Sequence, residues 1–148
     1  MNKKKNLTTE ETFALAIENH KKNNLQIAEN LYKEALKTNS NHFESIYNLG
    51  TLLAQTNRFD LAKPLLLKAI QIQPNYAKVH NNFGNVLKEL GEHQKAITSY
   101  EKAIQIQPNY ADAHYHLGIV FQELGEHQKA INSYEKAIQI QPNYADAH

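Results

Sequence analysis

The chain has 148 residues, with 16 lysines and arginines set against 15 aspartates and glutamates for a formal net charge of +1. So even a balance projects no strong field of either sign, which argues against nucleic acid or an anionic membrane surface and leaves shape and hydrogen bonding to select a partner. The absence of cysteine excludes disulfides, thiolate metal sites and thiol catalysis, and no apolar run approaches the roughly 18–20 residues that a bilayer-spanning helix needs.

Met1-Asn2-Lys3-Lys4-Lys5 begins like the charged part of a secretory signal, but the polar stretch Asn6-Leu7-Thr8-Thr9-Glu10-Glu11 follows in place of an apolar core. Residues 1–7 are therefore expected to be a disordered basic tail. Thr8 and Glu11 have the spacing of a capping box and start the first helix. From there the chain repeats itself. The octet Ala103-Ile104-Gln105-Ile106-Gln107-Pro108-Asn109-Tyr110 recurs almost unaltered at 69–76 and 137–144, Pro74, Pro108 and Pro142 stand 34 apart, and Gly50, Gly84 and Gly118 keep the same step. A fixed period of that length marks a stack of supersecondary units. The frame gives repeats at 9–42, 43–76, 77–110 and 111–144, with Ala145-Asp146-Ala147-His148 opening a truncated fifth.

Each repeat reads as two amphipathic helices and a tight turn. In the third, Val79, Phe83, Val86, Leu87 and Leu90 follow helical spacing, Gly91 interrupts, and Ala96, Ile97, Tyr100, Ala103, Ile104 and Ile106 resume it. Gly91 and Gly125, with Asn23 and Asn57 in the same slot, suit the left-handed residue that closes a helix. The prolines end the second helices. The asparagines near the repeat boundaries are expected to cap the next helix, Asn41 with Glu44 and Asn109 with Asp112. Pro64 falls inside the second helix of repeat two, so that helix is expected to start late or bend near residues 60–63. Small residues (Ala28, Ala62, Ala96, Ala130 and Ala35, Ala69, Ala103, Ala137) alternate with large ones (Tyr32, Leu66, Tyr100, Tyr134), a pattern that lets helices interlock.

These positions, with Asn-x-Gly or Leu-Gly on the first helix and alanine, aromatic, alanine and proline on the second, resemble the tetratricopeptide repeat. The resemblance covers 9–144. Its usual early tryptophan is replaced by Thr12, Ile46, His80 and His114, and repeat one has Ala16 for the glycine and Ser40 for the proline. It implies an all-α, right-handed α-solenoid of tandem antiparallel helix hairpins, a superhelix whose first helices line a concave groove.

If so, the groove carries Tyr47, Asn48 and Thr51 in repeat two, Lys78, Asn81, Asn82 and Asn85 in repeat three, and Tyr115, His116, Ile119 and Gln122 in repeat four, which share a face because helix neighbours lie three and four apart. Amides can pair with the backbone of an extended peptide, and tyrosines add contact area at low entropic cost. Asparagine is a poor helix former, so the cluster at Asn81, Asn82 and Asn85 suggests a use other than propensity. The arrays of O-linked N-acetylglucosamine transferases, which are similar, carry an asparagine just before Leu-Gly; Asn48 and Asn82 match it, while His116 and Ala14 depart. For the family's carboxylate clamp for chaperone C-termini, Asn48, Lys78 and Asn82 sit at suitable places, but Phe13 stands where the first lysine belongs and Asn82 where an arginine is usual.

The eight histidines show no ligand spacing, and His80 and His114 read as packing residues. No catalytic constellation, metal site or cofactor is expected. The expectation is a cytoplasmic protein-interaction scaffold that binds an extended peptide of a protein partner, a piece of a larger protein. The rival readings are a spacer that self-associates as a homo-oligomer through a bare C-terminal face (Ile131, Tyr134, Ile138, Ile140) and the targeting arm of a catalytic domain.

Overall fold

The computed structural model describes residues 6–143, so the expectations for residues 1–5 and for the start of a fifth repeat lie outside the described residues. The described residues form eight helices and no strand: α1 Thr9–Lys21, α2 Leu25–Thr38, α3 Phe43–Gln55, α4 Phe59–Ile72, α5 Ala77–Glu89, α6 His93–Ile106, α7 Ala111–Glu123 and α8 His127–Ile140. They fall into two compact units that divide between Ile72 and Gln73. Within the first, α1 packs most extensively on α2 and α3 on α4, with α2 joining the hairpins; within the second, α5 pairs with α6, α7 with α8, and α6 joins them.

The hairpin turns share one device. Asn23, Asn57, Gly91 and Gly125 take φ of 64°, 61°, 80° and 77°, and in each case the next N–H reaches back five residues, as Asn24 N does to Asn19 O at 2.8 Å and Glu92 N to Leu87 O at 2.8 Å. This ties off carbonyls that the helix end would leave unpaired.

At the helix starts the structure follows one expectation and corrects another. Thr8 and Glu11 form the capping box, Glu11 N donating to Thr8 Oγ1 at 3.1 Å and Thr8 N to Glu11 Oε1 at 3.0 Å. The caps expected at Asn41 and Asn109 do not form: α3 is capped by His42, whose Nδ1 accepts from Ser45 N at 3.3 Å, and α7 begins after Tyr110 without a side-chain cap. The reason is the turn. Tyr110 N donates to Gln107 O at 3.1 Å, so Pro108 and Asn109 are the central residues of a β-turn and the helix begins one residue later. His80 and His114 fasten the same turns, their Nε2 donating to the carbonyls of Pro74 at 2.7 Å and Pro108 at 3.0 Å.

At Pro64 the expected late start of the helix is corrected. Helix α4 runs unbroken from Phe59 to Ile72 with the proline inside it. Pro64 and Asp60 are both exposed, so the Asp60 carbonyl that loses its N–H partner lies on a side of the helix that solvent can reach. Ala62, Leu66 and Ala69, all fully buried, hold the opposite side.

The core follows the small and large alternation, with Ala28, Tyr32, Ala35, Ala96, Tyr100 and Ala103 wholly buried. Gly84 marks the closest approach in the second unit: a Cβ there would stand 2.6 Å from Cε1 of Tyr100. At four equivalent places on the first helices, α3 has Ser45, Leu49, Leu52 and Leu53, α5 has Val79, Phe83, Val86 and Leu87, and α7 has Ala113, Leu117, Val120 and Phe121, all buried or half-buried. Helix α1 has Glu11, Leu15, Glu18 and Asn19 there instead. Between α2 and the turn before α4, Glu29 stands where α6 carries Ile97; its carboxylate is 4% exposed and takes two bonds from the Arg58 guanidinium, at 2.6 and 3.2 Å, and one from Lys33 at 2.7 Å.

Candidate functional site

The candidate residues divide between the two units, and each set is taken by itself. In the first, Tyr47 is only 9% exposed and its ring stacks on Phe43, centroids 6.1 Å apart and 6° from parallel. Asn48 donates Nδ2 to the Glu44 carbonyl at 2.7 Å, and Thr51 donates Oγ1 to the Tyr47 carbonyl at 2.9 Å. Both are back-bonds within α3, which leave the Asn48 side-chain carbonyl as its outward polar group. Nearby, His20 joins the Tyr32 hydroxyl at 2.8 Å and Gln55 at 2.7 Å, and burial pushes the Tyr32 hydroxyl up to about 12.

In the second unit the candidates are knitted together. Asn81 on α5 is 3% exposed, and its Oδ1 lies 3.2 Å from Nδ1 of His116 on α7. It also bonds the Tyr110 hydroxyl, whose pKa is raised, chiefly by burial and then by the Asp112 charge. The Tyr100 hydroxyl donates to Asn85 Oδ1 at 2.6 Å, and its ring lies over His116, centroids 5.9 Å apart; burial also drives the Tyr100 hydroxyl well above the usual tyrosine range. Tyr115 rests between His116, at 5.5 Å, and Tyr134, at 5.8 Å, and Tyr134 donates to Gln122 Oε1 at 2.6 Å.

The asparagine cluster on α5 thus has a structural use at two of its three positions. Asn81 joins α5 to α7, and Asn85 satisfies a buried hydroxyl that would otherwise cost about 1–3 kcal/mol. Asn81 is too deeply buried to meet a peptide. Asn82, Tyr115, His116 and Ile119 are half-exposed, and Gln122 is exposed. Lys78 stands outside this network, on the rim of an open cleft of about 530 Å³ walled by Tyr76, Gln107 and Tyr110.

Sequence reasoning missed that cleft and one further cluster. His42, 7% exposed, meets Ser45 Oγ at 2.7 Å through Nδ1 and Glu10 Oε1 at 3.0 Å through Nε2. The order of serine, histidine and glutamate is that of a hydrolytic triad, but Ser45 is fully buried and its N–H is spent on the cap, so the cluster locks a helix start and presents no nucleophile. Among the described residues no three metal-ligating side chains come together and no helix is long and apolar enough to cross a membrane.

Eight helices in repeated hairpins, each tied by the same left-handed turn, define an all-α repeat protein. Tetratricopeptide repeat models match residues 43–76, 65–98 and 111–144, and a model described as TPR repeat matches 84–125. Two crystal structures of MamA are similar: one is 32% identical with a TM-score of 0.83, over 89% of this chain and 77% of that one, and the other is 31% identical with a TM-score of 0.86, over 94% and 76%. MamA residues 41 to the end from Desulfovibrio magneticus RS-1 shares the fold at 23% identity, with a TM-score of 0.87 over 91% and 76%. No curated protein sequence gives a significant match. The chain belongs to the tetratricopeptide repeat family and is a protein–protein interaction scaffold.

Proposed function

We propose that the face shared by α5 and α7 receives an extended segment of a protein partner, with Asn82, Tyr115, His116, Ile119 and Gln122 as contacts. The observation that carries this reading is the state of the aromatic platform. Tyr115 and His116 are half-exposed, yet both are held by ring contacts and His116 also by its bond to Asn81. Side chains already fixed in place lose little entropy when a ligand arrives. Asn48 and Thr51 on α3 offer a smaller polar surface in the first unit. The test is site-specific photocrosslinking in cells of the native source, with the photoreactive residue at Asn82, at Ile119, or at the exposed Gln94 of α6. Adducts from Asn82 and Ile119 but not Gln94 support the reading; equal labelling from Gln94, or none from α5 and α7, defeats it.

A second reading rests on a different observation. Helices α6 and α8 differ only at Thr98 and Asn132, yet Ile97 is 8% exposed while Ile131 and Ile138 are 48% and 41% exposed. Self-association through α8 would cover them. Glu11, Glu18 and Asn19 on α1 make that helix a poor seat for α8, so the pairing would be α8 against α8, a two-fold arrangement that closes on itself. Sedimentation of the wild type against Ile131→Glu decides it: a dimer lost on substitution supports this reading, and a monomer at high concentration removes it.

A further inference from the structure

Tyrosine hydroxyls decide which half of an amide is left to a partner. In the second unit the Tyr100 hydroxyl donates to Asn85 Oδ1 and the Tyr134 hydroxyl to Gln122 Oε1, both at 2.6 Å. Each amide carbonyl is thereby spent inside the protein. Asn85 is half-exposed and Gln122 exposed, and their NH2 groups have no partner among the described residues. The first unit reaches the same polarity at Gln55 by a relay: the Tyr32 hydroxyl meets His20 Nδ1 at 2.8 Å, and His20 Nε2 meets Gln55 Oε1 at 2.7 Å. Asn48 on α3 has the reverse polarity, since it spends Nδ2 on the Glu44 carbonyl, so the inference is confined to the second unit. There the aromatic platform adjoins both amides, with His116 5.9 Å from Tyr100 and Tyr115 5.8 Å from Tyr134, centroid to centroid.

We propose that Tyr100 and Tyr134 are positioning residues that make this face a set of hydrogen-bond donors beside aromatic rings, and that the partner it selects is a proline-rich segment. An ordinary extended segment brings an N–H for every carbonyl, and those donors would find the carbonyls of Asn85 and Gln122 already taken. Proline brings the carbonyl without the N–H. A run of prolines is held in polyproline II form, with no internal hydrogen bonds, so its carbonyls stay open to the two NH2 groups while its rings pack on Tyr115 and His116. A carboxylate is the poorer acceptor here. After burial, the charges of Glu89 and Glu123 are what hold the Tyr100 hydroxyl above its ordinary range, and the same charges repel an acidic ligand. The proposal rests on α5 and α7 forming the binding face and adds the class of segment that the face takes.

The probe is decaproline, acetylated and amidated, titrated into the ¹⁵N-labelled full chain, with an alternating alanine and serine decamer carrying the same end groups as control. Decaproline is expected to shift the side-chain NH2 signals of Asn85 and Gln122 and the backbone amides of 115, 116 and 119, and to leave the exposed Gln94 and Gln128 in place. The control, which brings its N–H groups with it, should bind more weakly. Gln122→Glu keeps an acceptor for the Tyr134 hydroxyl and removes the donor, so it should weaken decaproline about fivefold, the scale of one neutral hydrogen bond. Tyr134→Phe lets the Gln122 amide turn either way and should weaken binding about twofold through the added side-chain freedom. In a Gln122→Ala background the same change should do nothing, which a merely structural ring would not predict. Both side chains are exposed or half-exposed, and the unchanged remainder of each spectrum verifies folding. No shift in the second unit, an equal response to the control, or a response indifferent to Gln122→Glu overturns the proposal. Adducts from Asn82 and Ile119 in that event would show that the face binds and that only the class of segment is wrong.

Discussion

Replacing Gly84 by alanine puts one methyl group where the second unit has least room. The new Cβ would lie 2.6, 2.8 and 3.0 Å from Cε1, Cδ1 and Cζ of Tyr100, inside the 3.5–4.0 Å at which carbon atoms rest. The ring cannot easily retreat, because it is fully buried, its hydroxyl is bonded to Asn85 and its face lies against His116. Overpacking of this kind costs about 1–3 kcal/mol, while exchanging glycine for alanine inside a helix returns about 0.8–1 kcal/mol. With the ring pinned, the upper part of the range applies and the net loss is about 1–2 kcal/mol. Two internal controls bracket it. At Gly118 the contacts with Tyr134 are nearly as short, 2.8 Å, but that ring is half-exposed and can swing outward. At Gly50 the nearest atoms are Cδ2 and Cγ of Leu66, both at 3.0 Å, so that side chain has to give by only a few tenths of an ångström. Urea unfolding followed by circular dichroism should therefore rank the variants, with Gly84→Ala clearly least stable, Gly118→Ala between, and Gly50→Ala at or slightly above the wild type. If Gly50→Ala proved the most damaging, or Gly84→Ala were neutral, the account of Tyr100 as a fixed ring would be wrong.

Two other outcomes follow from the first unit. Pro64→Ala returns an N–H to the Asp60 carbonyl without touching the buried side of α4, and should raise stability by about 2 kcal/mol, measured as a higher thermal midpoint. The Glu29 carboxyl is held below its ordinary 4.5, first by the Arg58 hydrogen bonds and then by Lys33, against the opposing effect of burial. A depressed folded pKa means that its contribution is complete above pH 4.5 and lost as pH falls through the folded value. Glu29→Gln should flatten the acid limb of the stability profile below that pH while leaving a constant deficit above it; an acid limb parallel to that of the wild type would show that Glu29 carries none of the linkage.

The helices were legible because their ends carry chemical punctuation. A left-handed residue leaves few choices besides glycine and asparagine, so Asn23, Asn57, Gly91 and Gly125 mark the hairpin turns directly. The starts were harder to place: Asn41 and Asn109 have capping chemistry, but a proline one residue before Asn109 forms a β-turn and moves the cap to Tyr110. Pro64 misled about where α4 starts, because a proline on the exposed side of a helix costs stability without ending the helix when the opposite side is well packed. The site was legible as a set of residue types and illegible as a set of roles. Asn81, Asn82 and Asn85 look alike in sequence, and what separates them is His116 and Tyr100, which lie 35 and 15 residues away from their partners. Likewise nothing local to Glu10 announces that His42 will reach it.

The acidic and amide residues that α1 carries where its counterparts are oily make the hairpins unequal as building parts. The hairpins α5–α6 and α7–α8 could trade places or be copied in tandem, since each offers aliphatic side chains at the places a neighbour needs. A copy of α1–α2 set between two others would bury the carboxylates of Glu11 and Glu18 where its neighbours offer aliphatic side chains.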